Sequence, residues 1–111
     1  MSDATGPGSR RLDIRPARLG DVPAIRRLGS IAYSEQDNYT VEQISAQIRW
    51  FPEGHLVAVH DGDVVGYCAS IRLPESRALA PHTWKGITAN GYGSTHEPEG
   101  DWLYGYEVMV D

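Results

Sequence analysis

Residues 101–111 read Asp101-Trp102-Leu103-Tyr104-Gly105-Tyr106-Glu107-Val108-Met109-Val110-Asp111, with one acid, Glu107, inside a run of aromatic and branched side chains. Such side chains suit a pleated, partly buried surface, so the stretch predicts a β-strand within a sheet. Strict alternation puts Trp102, Tyr104, Tyr106, Val108 and Val110 on one face and Glu107 on the other. The simplest reading of Tyr104 and Tyr106 is core packing with a wet hydroxyl at one end, and substrate lining is the alternative. A strand this apolar expects cover. Left uncovered, its edge is a template for β-pairing with a partner chain or with a second copy.

Upstream, the β-rich runs Leu56-Val57-Ala58-Val59-His60 and Val64 to Leu73 flank Asp61-Gly62-Asp63. An Asp-Gly turn between two such runs predicts a hairpin. Pro74 to Gly100 is long for a connection, and loops of that length are functional or disordered. Within it, Pro81 to Ile87 suits a short helix, and Gly91 to Thr95 reads as flexible and polar. His82 and Trp84 are placed to pin this loop onto the sheet.

Toward the N-terminus, Thr40 and Gln43 form a capping-box pair. They open a helix whose buried stripe is Val41, Ile44 and Ile48 and which Pro52 and Gly54 end. A helix from Val22 to Tyr33 has Asp21 as N-cap, Pro23 just inside, and Val22, Ile25 and Leu28 as its apolar face; Gly29 weakens it. Leu12-Asp13-Ile14-Arg15 alternates as a short strand that Pro16 ends. The order is strand, helix, helix, strand, strand, long loop, strand. It predicts an α+β fold, an antiparallel sheet with its early helices packed on it. Residues 1–11 read as a disordered tail and 12–111 as a single, partial domain.

The chain has 111 residues and a net charge of −5, which supplies no basic field for nucleic acid or an anionic membrane. No apolar run approaches the roughly 20 residues of a membrane-spanning helix. The single cysteine, Cys68, has no internal disulfide partner and suits a reducing, cytoplasmic setting; mid-strand, it reads as a small buried hydrophobe. Arg26 and Arg27 read as a solvated helix face, and His55 and His60 as surface residues. His96-Glu97-Pro98-Glu99 lacks a second histidine, and Pro98 forbids the helix that would align two ligands, so no metal site is expected.

Leu12 to Ala17 followed by Gly20 to Ile25, the hairpin Val57 to Tyr67, and Tyr106 to Asp111 together resemble the N-terminal half of the GNAT superfamily of acyl-CoA-dependent N-acetyltransferases. Phe51 to Gly54, Ala80 to Trp84 and Gly91 to His96 also resemble a bacterial subgroup in which such a domain precedes a carbon–nitrogen hydrolase domain. The resemblance implies acetyl-CoA as cofactor and a small-molecule or peptide amine as acceptor. Glu107 sits where the family often carries an acid and is the expected base. Tyr104, Tyr106 and His96 are the expected substrate contacts, and the backbone of Val108 and Val110 the expected cofactor contact. The family's Gln/Arg-x-x-Gly-x-Gly/Ala turn, whose backbone N–H groups cradle the coenzyme's diphosphate at a helix N-terminus, does not occur in the sequence. Arg26 to Ile31 comes closest and lies inside a helix. The expectation is a truncated domain with no measurable acetyl-CoA affinity alone. A non-catalytic half-domain that pairs through its last strand is the alternative.

Overall fold

A computed structural model describes residues 11–111; apart from Arg11, the tail expected over residues 1–11 lies outside the described residues. The elements are β1 (Leu12–Pro16), α1 (Val22–Ala32), α2 (Val41–Trp50), β2 (His55–His60), β3 (Asp63–Leu73), α3 (Glu75–Ala78), α4 (Trp84–Ile87) and β4 (Trp102–Val110). The four strands form one sheet in the order β1-β2-β3-β4, with every neighbouring pair antiparallel. This is the α+β arrangement expected.

The β2–β3 hairpin turns on Asp61 (φ 51°) and Gly62 (φ 85°), with His60 opposite Asp63. Two left-handed residues in a two-residue loop match the twist of the flanking strands, which is why Asp-Gly serves here. α1 and α2 cover one sheet face. Val22, Ile25 and Leu28 of α1 and Ile44 and Ile48 of α2 meet Val57, Tyr67, Ala69, Ile71 and Met109 in one core.

The capping box of α2 forms: the Thr40 hydroxyl accepts from the Gln43 N–H (3.1 Å), and Gln43 Oε1 accepts from the Thr40 N–H (2.8 Å). Its buried stripe differs from expectation. Val41 is 47% exposed and Gln47 is fully buried in its place, because the Gln47 amide bridges the Tyr67 hydroxyl (2.7 Å) and the Gly91 carbonyl (2.6 Å). Asp21 makes no side-chain cap on α1. Its carboxylate accepts instead from the Arg15 guanidinium (2.8 and 2.9 Å) and the Arg18 N–H (2.8 Å), and the Arg15 contact holds its pKa below the usual carboxylate range. Arg26 is also no solvated residue: it donates to the Tyr39 carbonyl (2.9 Å) and to Glu35 (3.2 Å), tying down the α1–α2 connection.

The segment from Pro74 to Gly100 is built rather than slack. Gln43 Nε2 donates to the Asn90 carbonyl (2.8 Å), and the Thr88 hydroxyl oxygen accepts from the Gly91 N–H (2.9 Å). Beyond the start of β2, the Glu97 N–H donates to the Arg72 carbonyl and the Arg72 N–H to His96 Nδ1, both at 2.9 Å. The segment is thus tied to the end of β3, where β3 runs past the start of β2.

Candidate functional site

The β3–β4 register pairs Ala69 with Glu107 and Ser70 with Gly105, so Tyr106 is the extra residue of a β-bulge. A bulge re-aims the side chains that follow it. Strict alternation is therefore overturned: Glu107 and Met109 join Tyr104 and Tyr106 on the helix-covered side, while Val108 and Val110 turn to the opposite face, 72% and 77% exposed.

On the helix side, Glu107 lies in a cleft of about 1000 Å³ between the α1–α2 connection, α4 and β4. Two hydroxyls hold it. Tyr39 donates to Oε1 (2.9 Å), and Tyr33 lies across both oxygens (3.0 Å to Oε1, 2.8 Å to Oε2). A carboxylate offers about four acceptor positions, and these contacts leave Oε2 the more open oxygen. The Glu107 hydrogen bond pushes the Tyr33 hydroxyl above its ordinary pKa; burial first, then the same carboxylate, pushes Tyr39 up further. Both tyrosines are donors at neutral pH. Asn38 fixes the tyrosine-bearing connection, accepting from the Tyr39 N–H (2.8 Å) and donating to the Arg26 carbonyl (3.1 Å).

Of the residues expected at a site, Glu107 and Tyr106 come together here. The Tyr106 hydroxyl points inward, however, donating to His55 Nε2 (2.6 Å), while His55 Nδ1–H donates to the Phe51 carbonyl (2.7 Å). His55 is fully buried, contrary to the surface position expected of it. Trp84 Nε1–H donates to the Tyr106 carbonyl (3.2 Å) and the His82 ring meets Tyr104 edge-on (5.5 Å between centroids), so both residues do pin the long segment. Tyr104 and His96 lie outside the cleft. His96 is buried with its ring stacked on Phe51 (4.2 Å, 14°), and burial lowers its pKa. Tyr33, Tyr39 and Trp84 were not singled out as site residues in the sequence. They come from separate segments, and only the packing of the α1–α2 connection against β4 brings them to Glu107.

The Asp111 N–H donates to the Val65 carbonyl, and Glu107 and Met109 stand opposite Ala69 and Tyr67. By antiparallel alternation, the backbone groups of Val108 and Val110 face the free edge of β4. No group of His, Cys, Asp and Glu among the described residues is arranged to hold a metal ion, and no described helix is long and apolar enough to cross a membrane.

No family model matches the chain. It is 31% identical over 101 residues to the probable hydrolase YhcX of Bacillus subtilis, covering 91% of this chain and 20% of that protein. It is 32% identical over 72 residues to the uncharacterized N-acetyltransferase YkwB of the same organism, covering 65% of this chain and 32% of that one. The chain thus spans a third or less of the curated relatives it matches. Among solved structures, it superposes with a TM-score of 0.75 on the GNAT-like decarboxylase GphF in complex with isobutyryl-CoA, at 24% identity over 89% of this chain and 48% of that one. The fold is therefore that of GNAT-like domains, over about half of that neighbour's chain, as the superfamily resemblance implied.

Proposed function

We propose that this chain supplies the acceptor side of an acyl-CoA-dependent N-acyltransferase domain, with Glu107 as its base. The observation that carries the reading is the Glu107 carboxylate, bulged into a cleft beside the free edge of β4 and aimed by two tyrosine hydroxyls. The GNAT-like fold, the isobutyryl-CoA bound in GphF and the name of YkwB support the class. A lysine-like amine, with a pKa of about 10.4, is protonated at neutral pH. Glu107 Oε2 is placed to take its proton, directly or through one water. Tyr33 and Tyr39 stay protonated and keep the carboxylate aimed. A bound acyl-CoA supplies the acyl group as a thioester, whose carbon–sulfur bond is exchanged for the carbon–nitrogen bond of the product. The free-edge N–H groups of Val108 and Val110 would hold the arm of that cofactor and would offer donors to the oxygen on which charge develops.

Acetyl as the acyl group rests on the sequence resemblance. We assign the diphosphate cradle to residues other than the described ones, so acetyl-CoA is expected to give no measurable heat when titrated into this chain; micromolar affinity would overturn that assignment. The subgroup reading, with a hydrolase domain alongside, is supported by the likeness to a protein named a hydrolase of which the match spans 20%. The acceptor-side reading is tested with S-acetylpantetheine, which lacks the diphosphate. Amide shifts at Val108 and Val110 in a ¹⁵N NMR titration are expected, and an unmoved β4 edge would sink the reading.

One observation favours a second reading, an interaction module that pairs through β4. Leu103, Val108 and Val110 stand exposed on the sheet face that α1 and α2 leave bare.

A further inference from the structure

We infer that the outward face of α2 is where a second copy of this chain docks, antiparallel, about a two-fold axis level with Ser45 and Ala46. The inference goes beyond the acceptor-side reading and uses none of its residues. α2 turns Ile44, Gln47 and Ile48 inward. The opposite face of a surface helix is expected to be polar. Here it carries Val41 and Trp50, 47% and 52% exposed, with Ala46 between them. Val41, Glu42, Ser45, Ala46, Arg49 and Trp50 line one groove of about 620 Å³. None of them lines the cleft around Glu107.

The order of these six residues names the occupant. They form a palindrome about the midpoint between Ser45 and Ala46: Glu42 and Arg49 stand equally far from it, and Val41 and Trp50 lie one residue further out. A two-fold contact sets a patch against itself, so the patch must be self-complementary. Turned antiparallel, a second α2 brings its Arg49 opposite Glu42 and its Glu42 opposite Arg49, which makes two ion pairs. Within one chain the two cannot meet, because two helical turns hold them about 10 Å apart along the axis. Among the described residues, neither has an ion-pair partner. A parallel second copy would set acid on acid and base on base. Ser45 and Ala46 lie at the crossing, where small side chains let two helices approach closely. Trp50 of one copy comes level with Val41 of the other, and Trp and Arg are favoured in such contacts. The α2 macrodipole also favours an acid in the first turn and a base in the last, but it gives no reason for Val41 and Trp50 to lie exposed beside them.

One helix face makes a small interface, so the dimer is expected to be weak, with a Kd on the order of 100 µM. All measurements carry Val108→Lys, which removes association through the bare sheet face. On dilution from millimolar to micromolar concentration, the ¹⁵N NMR signals of Ser45, Ala46 and the Trp50 indole should move while those around Glu107 stay fixed. Sedimentation velocity should report dimer passing to monomer over the same range. Glu42→Arg and Arg49→Glu each set like charges face to face twice, and each should weaken the dimer about tenfold or more, with the amide spectrum reporting that the fold is kept. An equimolar mixture of the two variants should recover the parent affinity to within about threefold, because each then meets the opposite charge on the other. Trp50→Ala should weaken association about tenfold without any change of charge. A parent that stays monomeric at millimolar concentration would overturn the inference, as would dilution shifts confined to other residues. A mixture that associates no better than its components would overturn it too, and would leave both charges to the helix dipole alone.

Discussion

His55 is packed beneath Phe51 and Tyr106, and desolvation brings its pKa from 6.5 down to about 4. Its Nδ1–H is committed to the Phe51 carbonyl and its Nε2 to the Tyr106 hydroxyl, so the folded state holds it neutral. The unfolded chain binds a proton there as pH falls below 6.5, while the folded chain resists until about 4. Stability is therefore full above that window and falls with acidification through it, by at most about 1.4 kcal/mol per pH unit. His96, also lowered by burial, acts in the same direction. Thermal melts between pH 7 and pH 4 should show the decline, and His55→Gln should start less stable and decline less. Nothing in the sequence marks His55 as buried, because its two partners are a backbone carbonyl and a tyrosine 51 residues away. Glu107 was legible as the one acid within an apolar strand; its tyrosine partners were not. Since the Glu107 hydrogen bond is the main cause of the raised Tyr33 pKa, Glu107→Gln should let Tyr33 ionise at lower pH, as read by ¹³C-tyrosine NMR. An unmoved Tyr33 would mean that the hydrogen bond is not formed in solution.

At the scale of elements, the capping box of α2, the Asp-Gly hairpin and the strand-helix-helix-strand order followed from local rules, because each depends on residues a few positions apart. The β4 bulge did not. At it, the Tyr106 hydroxyl meets His55 and the Trp84 indole N–H donates to the Tyr106 carbonyl, partners far off in the chain, and the bulge decides which side of the sheet Glu107 occupies. Gly29 makes the contrast testable. Helix propensity favours alanine over glycine by about 1 kcal/mol, so the isolated α1 sequence gains from Gly29→Ala. In the fold, the added Cβ stands 1.9 Å from Asn38 Oδ1. Asn38 is buried and tied at both ends, so it yields only by giving up those bonds. Gly29→Ala should cost about 1–3 kcal/mol in urea unfolding and loosen the connection that carries Tyr33 and Tyr39. A neutral or stabilising result would show that Asn38 moves freely.

At the scale of the molecule, α1 and α2 cover one sheet face and leave Leu12, Ile14, Leu103, Val108 and Val110 more than half exposed on the other. Apolar patches of this kind associate. The chain is expected to self-associate as its concentration rises, and Val108→Lys should shift light scattering toward monomer without lowering the melting temperature, since Val108 packs little in the folded chain. A monomer at all concentrations would count against the strand-pairing reading. The amino-acid sequence by itself determined the order of elements, the hairpin, the α2 capping box, the α+β class and the acid on the last strand, because periodicity, turn chemistry and capping act within a few residues. Only the tertiary structure decided that Glu107 faces a cleft, that Tyr33, Tyr39 and Trp84 surround it, and that His55 is buried and neutral. Those outcomes depend on a bulge and on contacts between segments far apart in the chain, where the free energy of packing, rather than local preference, selects the arrangement.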